Sequence, residues 1–209
     1  MTAAPKRISI DEYLTLERRS ETKHEYFAGQ IFAMAGASYA HNTLSLNFAG
    51  ELRSSLRDTP CNVASSDLRV RTISTLFTYP DVVVVCGKPE FDDEEGDTLT
   101  NPVVIVEVLS RSTEGYDRGQ KFLNYRSIPS LKEYVLVSQR QMLVEHFARQ
   151  PNGQWLLTAY STPEQSVLFS SLNISIPMAS LYLKVELPAT PALRDDGPDE
   201  HASSRSLTS

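Results

Sequence analysis

Two acids stand where acids are costly. Glu107 interrupts the apolar run PVVIVEVL, and Asp81 opens PDVVVVC. A continuous apolar run is the pattern of a strand covered on both faces. An ionised carboxylate inside such a strand persists only with a cation, a metal or several hydrogen-bond donors. If the two strands pair antiparallel, the start of the first lies against the end of the second, and Asp81 meets Glu107 at one sheet edge. Two carboxylates about 4 Å apart repel by roughly 4 kcal/mol at an effective dielectric of about 20. A bound divalent cation reverses that cost. Taken singly, each acid has a structural explanation: Asp81 as a turn cap after Pro80, Glu107 as the partner of an arginine. Taken together, they point to a divalent-metal site.

Other chemistries lack their signatures. The histidines His24, His41, His146 and His201 are widely separated, with neither HExxH nor HxH spacing. Neither GxSxG nor a phosphate-binding GxxxxGKS is present. Cys61 and Cys86 lie in strand-like stretches without CxxC spacing, which reads as two reduced, buried thiols rather than a disulfide or a zinc site.

The elements that would carry the two acids follow from pattern. Ser9 and Glu12 have capping-box spacing ahead of Ile10, Tyr13, Leu14 and Leu16, which predicts a short helix through about Arg18, with a second start at Ser20. Tyr26 to Ala35 reads as a β segment turned at Gly29. Leu44, Phe48, Leu52 and Leu56 recur every four residues and predict a helix. Strands are expected at about 61–71, 79–86 and 102–109 as an antiparallel meander, then a helix over about 113–126, bounded by Thr113 and by Pro129 beyond. LKEYVLVS, MLVEHFAR and QWLLTAY read as further strands, the last two joined by Asn152-Gly153. Strands near 167–176 and a short helix near Ala179 to Tyr182 complete a single domain over 1–187. Residues 188–209 have little to bury and read as a disordered tail.

The 209-residue chain is long enough for a real core. Its longest apolar run is far short of the roughly 18 residues that cross a bilayer, and its start lacks a signal-peptide core, so the expectation is a cytoplasmic protein without a membrane partner. A net charge of −6 argues against a nucleic-acid partner at first sight. The acids are local, however: Glu90, Asp92, Asp93, Glu94, Glu95 and Asp97 share one segment, and the remainder of the chain is neutral. That segment is expected on the surface, away from any nucleic-acid groove.

The ordered string KHEYFAGQIFAMAGAS, HN, SSDLRV, YPDVVVVCG and NPVVIVEVLSRSTEGYDRGQKFLNYRSIPSLKEYVLV resembles the bacterial restriction endonuclease family of the Uma-two type, within the PD-(D/E)XK nuclease superfamily. The likeness runs from about Ile8 to Tyr182. It implies an α/β, restriction-endonuclease-like fold with a mixed central β-sheet flanked by helices. It also implies a Mg²⁺-dependent phosphodiesterase site in which Mn²⁺ can substitute, with DNA as the nucleic-acid partner and a homodimer as a common assembly. Carried over by residue, Asp81 is the acid of PD, and Glu107-Val108-Leu109 stands at (D/E)-X-K, so Asp81, Glu107 and the Val108 carbonyl are the implied metal ligands. Leu109 occupies the lysine position. Lys121 on the following helix is the implied substitute, and its alternative reading is an exposed i,i+4 partner of Asp117. Glu25 resembles the acid of the superfamily's first core helix; otherwise it is a surface residue. Asp67, in SSDLRV beside Arg69 and Arg71, is held in reserve, since a hairpin ion pair explains it equally well. Two functions remain in view: a metal-dependent endonuclease, or a catalytically silent version of the fold that binds DNA or assembles as a homodimer.

Overall fold

The computed structural model describes residues 7–188, so the expected tail lies almost wholly outside the described residues. Helix α1 (Ile10–Glu17) begins at Ser9 with the reciprocal capping box that its spacing predicts. No helix starts at Ser20. The chain turns there into strand β1 (His24–Phe27), which pairs antiparallel with β2 (Gln30–Ala33). The connecting residues Ala28 and Gly29 both have positive φ, 49° and 87°, the two-residue turn that matches strand twist. At Gly29 a Cβ would also lie 2.9 Å from the Arg7 Cβ, so glycine is required there twice over.

Helix α2 (Tyr39–Ser55) follows, then β3 (Cys61–Ser65), β4 (Arg69–Arg71), β5 (Phe77–Thr78), β6 (Val82–Cys86), β7 (Thr98–Leu99) and β8 (Val104–Leu109). The helical stretch is α3 (Glu114–Tyr116), a π-helical turn (Asp117–Lys121) and α4 (Phe122–Tyr125). Then come β9 (Glu133–Ser138), β10 (Val144–Arg149), β11 (Trp155–Tyr160), β12 (Ser166–Phe169), β13 (Ile174–Pro177) and α5 (Met178–Leu181).

The central sheet has six strands in the order β11-β10-β9-β8-β6-β3. It is mixed: β8 and β9 run parallel, joined by the helical crossover, and its other neighbours are antiparallel. The meander is therefore real for β3, β6 and β8, but β4 and β5 leave it for a second sheet, β2-β1-β5-β4-β7. The sheet is covered on both faces, as its unbroken apolar strands require. Leu44, Phe48 and Leu52 of α2 pack with Val82, Val84, Val104, Val106 and Val108 on one face. Val83, Val85, Ile105 and Leu109 pack with Tyr125 and Tyr134 on the other. Strand period two thus puts position 107 with 105 and 109, on the face beneath the π-helical turn. The same rule puts position 81 with 83 and 85.

One expectation is overturned outright. Cys61 and Cys86 are directly opposed across β3 and β6 and form a disulfide, with Cα atoms 3.9 Å apart. Two cysteines 25 residues apart in sequence become neighbours only when those strands pair, which no spacing rule discloses.

Candidate active site

Register brings the two acids together. Val82 pairs with Val106, so the next step of the ladder sets Asp81 against Glu107 at the end of two interior strands rather than at the outer edge of the sheet. Asp81 is fixed at both oxygens. Its Oδ2 accepts the Val108 N–H at 2.7 Å, and its Oδ1 lies 2.8 Å from His41 Nε2 at the start of α2. Glu107 is buried, and its Oε1 accepts the Tyr125 hydroxyl at 2.8 Å.

The helical crossover supplies the cation. The sequence reads as one regular helix from 113 to 126; the structure breaks it with five π-helical residues, and Asp117, Lys121, Asn124 and Tyr125 are turned inward. Such turns are uncommon and recur at functional sites. The Tyr134 hydroxyl of β9 donates to the main-chain carbonyl of Asp117, and Arg118 bridges Glu114 and Glu145 of β10, so the turn is tied to the sheet at two points. Lys121 Nζ then lies 3.0 Å from Glu107, 3.1 Å from Glu25 and 3.4 Å from Asp117. Lys121 is only 5% exposed, so its reading as a solvated partner of Asp117 is set aside.

Glu25 arrives from the second sheet. It sits on strand β1, not on a helix as the resemblance implied, and accepts a hydrogen bond from the Thr78 hydroxyl. The reason is local: EYFAGQIFA is a hairpin sequence, with its turn at Ala28-Gly29.

Burial sets the electrostatics. It pushes the Glu107 carboxyl up to about 8, with Lys121 pulling against it and Asp117 and Asp81 pushing the same way. Asp117 is likewise raised by burial. Burial opposes the charge on Lys121, but Glu107, with Glu25 and Asp117, outweighs it and holds the ammonium well above the ordinary lysine range. Four acids, Glu25, Asp81, Glu107 and Asp117, therefore gather around one ammonium, which pairs directly with Glu25, Glu107 and Asp117.

That excess of hard, anionic oxygen donors suits Mg²⁺ or Mn²⁺. Among the described residues no three His, Cys, Asp or Glu side chains form a ready-made metal cage. Mg²⁺ does not need one, because it is commonly held by one or two carboxylates and keeps several waters. Asp81, Glu107 and the Val108 carbonyl are the groups that would hold it.

Asp81, Glu107, Val108, Lys121 and Glu25 all line one cleft of about 990 Å³. Asp67 stands apart from them: it is exposed and pairs with Lys23 at 3.0 Å, while Arg69 and Arg71 go to Asp97 and Asp92. No residue of the acidic segment lines the cleft; Asp93 and Asp97 are held by Arg18 of the 7–23 region instead. Sequence reasoning assigned no role in the site to His41 or Tyr125. The pair HN at the head of an amphipathic helix was visible as a motif, but its contact with Asp81 was not. Tyr125 stands one helical turn from Lys121, and that spacing was the available signal.

The family model described as "Uma2: Putative restriction endonuclease" matches residues 10–179. Two proteins of Synechocystis sp. are similar: sll1609 is 38% identical over 175 residues, covering 83% of this chain and 99% of its own. The second, slr1290, is 36% identical over 177 residues, covering 84% of this chain and 92% of its own. The crystal structure described as a putative nuclease belonging to DUF820, from Anabaena variabilis, superposes with a TM-score of 0.69 over 84% of this chain and 97% of that one. At 18% identity it speaks for the fold alone, a mixed α/β architecture.

Proposed function

The chain belongs to the Uma2 restriction endonuclease family, and on that premise we propose that it is a metal-dependent nuclease that hydrolyses phosphodiester bonds in DNA. One observation carries this reading: a buried lysine shared by Glu107, Glu25 and Asp117 faces an open cleft beside Asp81. A fold that needed these groups only for stability would have no reason to concentrate four acids there.

Asp81, Glu107 and the Val108 carbonyl would hold Mg²⁺ or Mn²⁺, which when bound supplies Lewis-acid polarisation of a phosphoryl oxygen and a more acidic water. His41 and the Val108 N–H fix the rotamer of Asp81. Tyr125 fixes Glu107. The acids around Lys121 favour its charged form, a hydrogen-bond donor to water or phosphate. Its N–H groups would orient the attacking water or neutralise charge on the pentavalent phosphate.

A second reading, the silent fold that binds DNA or assembles as a homodimer, is favoured by one observation: both oxygens of Asp81 are already engaged. The test uses two substrates, supercoiled plasmid and circular single-stranded DNA, with Mg²⁺ or Mn²⁺. Cleavage leaving 5′-phosphate ends is expected from the wild type and none from Asp81→Ala. Calorimetry is expected to show Mn²⁺ binding to the wild type alone. Absence of cleavage on both substrates, with Mn²⁺ binding equal in the two proteins, would overturn the nuclease reading.

A further inference from the structure

The walls of the cleft say what form of nucleic acid it can take, an inference that rests on the nuclease reading. One wall is the β1–β2 hairpin. Phe32 is directly opposite Glu25 in the antiparallel register, so the two side chains share a face. Phe32 is 48% exposed, while Glu25 beside it reaches Lys121 at 3.1 Å. The other wall is α2, which presents His41, Ser45 and Ala49 at four-residue spacing, with Leu46 72% exposed. Met34 lines the cleft between the walls. An exposed aromatic ring and two flexible apolar side chains thus line the same cleft as the buried acids.

The charges of the cleft run against a duplex. Proteins that grip duplex DNA neutralise several phosphates with lysine and arginine. Among the described residues no arginine lines this cleft; its lysines are Lys23 and Lys121, against Glu25, Asp81, Glu107 and Asp117. Both lysines are already engaged. Lys23 holds Asp67 and the Ser66 carbonyl, each at 3.0 Å, and Lys121 holds three carboxylates. A divalent ion brings the cleft to neutrality and no further, so phosphate neutralisation is a poor source of affinity. The remaining source is apolar and aromatic contact with a base. In a duplex the base faces are stacked on one another and unavailable; in a single strand every base offers one.

We propose that the cleft binds a single-stranded segment, with an unpaired base stacked on Phe32 against Leu46 and Met34 and its adjoining phosphodiester over Asp81, Glu107 and Lys121. Phe32 is then a specificity-determining residue for strandedness.

The test is fluorescence anisotropy in Ca²⁺, a hard oxygen-seeking ion, with labelled 16-mers of oligo-dT, oligo-U and a duplex. Wild type is expected to bind oligo-dT or oligo-U at least tenfold tighter than duplex, and the ratio between the two single strands reports the preferred sugar. Phe32→Ala is expected to lose about 5- to 100-fold on the single strand, the range of one lost base stack. Phe32→Tyr should retain the affinity, and duplex binding should move less than twofold in either variant. Phe32 is half exposed, so both variants are expected to melt within a few degrees of wild type, which a thermal melt checks. Duplex bound as tightly as single strand, or Phe32→Ala within twofold of wild type, overturns the proposal. The two readings fail separately. Wild type cutting plasmid and single strand equally well in Mg²⁺ keeps the nuclease and removes the strand preference. Phe32-dependent single-strand binding with no cleavage keeps the binding mode and removes the nuclease.

Discussion

Replacing Lys121 by methionine removes the ammonium that pairs with Glu25, Glu107 and Asp117 while keeping a side chain of similar length. At 3.0 Å, one carboxylate–ammonium contact is worth about 5 kcal/mol at an effective dielectric of about 20, before desolvation is charged against it. Truncating one partner of a buried pair costs about 3–5 kcal/mol net, because the other partner is left buried and unpaired. For a chain of this length each kcal/mol moves Tm by about 2–4 °C, so Lys121→Met should melt about 6–20 °C below wild type in EDTA at pH 8. The pH dependence has a definite sign. Without the ammonium, carboxyl groups already raised by burial rise further, so the folded state binds protons more tightly than the unfolded one. Stability of the variant then falls as pH rises, and its deficit shrinks as pH is lowered toward 5. Mn²⁺ should restore part of the lost Tm and should bind more tightly than to wild type, since a competing cation is gone. Cleavage should not return, because the lost donor is not a metal ligand. Differential scanning calorimetry at pH 5 and pH 8, with and without Mn²⁺, measures all of this. A variant melting within 2 °C of wild type at pH 8 in EDTA, or with an equal deficit at both pH values, would show that Lys121 does not hold the acids together.

Three further outcomes are expected. Arg18 holds the Asp97 carboxyl far below the usual range, with help from the Thr98 hydroxyl and Arg69; a depressed pKa contributes stability above the unfolded value near 3.8 and loses it below. Asp97→Asn should therefore cost about 1 kcal/mol at pH 7, discounted for solvent exposure, and progressively less in urea melts as pH falls below about 3.8. Reduction of Cys61–Cys86, or the double Cys→Ser variant, should lower stability by about 3 kcal/mol from the loop it closes, measured in urea melts as a lower midpoint with a slope that rises, because the unlinked denatured chain exposes more surface. Neutralising Asp93, Glu94 and Glu95 should change DNA affinity less than twofold across salt concentrations, because none of them lines the cleft; a gain beyond about tenfold, or about 1.4 kcal/mol, would make the segment a gate.

Much of the architecture was legible in the chain because its causes are local. The Ser9–Glu12 cap, the four-residue recurrence of Leu44, Phe48, Leu52 and Leu56, and the unbroken apolar strands around 82–86 and 104–109 each name an element without reference to any other. The pairing of Asp81 with Glu107 also followed, since antiparallel neighbours with the same covered-strand pattern leave few registers. Membership in the Uma2 family rests on the same ordered string of residues.

What only the folded chain decided are the meetings between distant elements. Glu25 reaches Lys121 because a second sheet swings β1 against the cleft, and a helical reading of its surroundings was wrong for want of that sheet. Lys121 is buried rather than solvated because the crossover helix is loosened into a π turn and anchored by Tyr134, a hydrogen bond made from the next strand. His41 on Asp81, Phe32 beside Glu25, and Cys61 bound to Cys86 depend likewise on pairings that cost loop-closure entropy and are repaid only by the assembled core. Sequence determines which residues can be strand, helix or ligand, since those preferences are properties of a few neighbouring side chains. Which ligands share one cleft is a property of the packing of the whole sheet, and local chemistry carries no record of it.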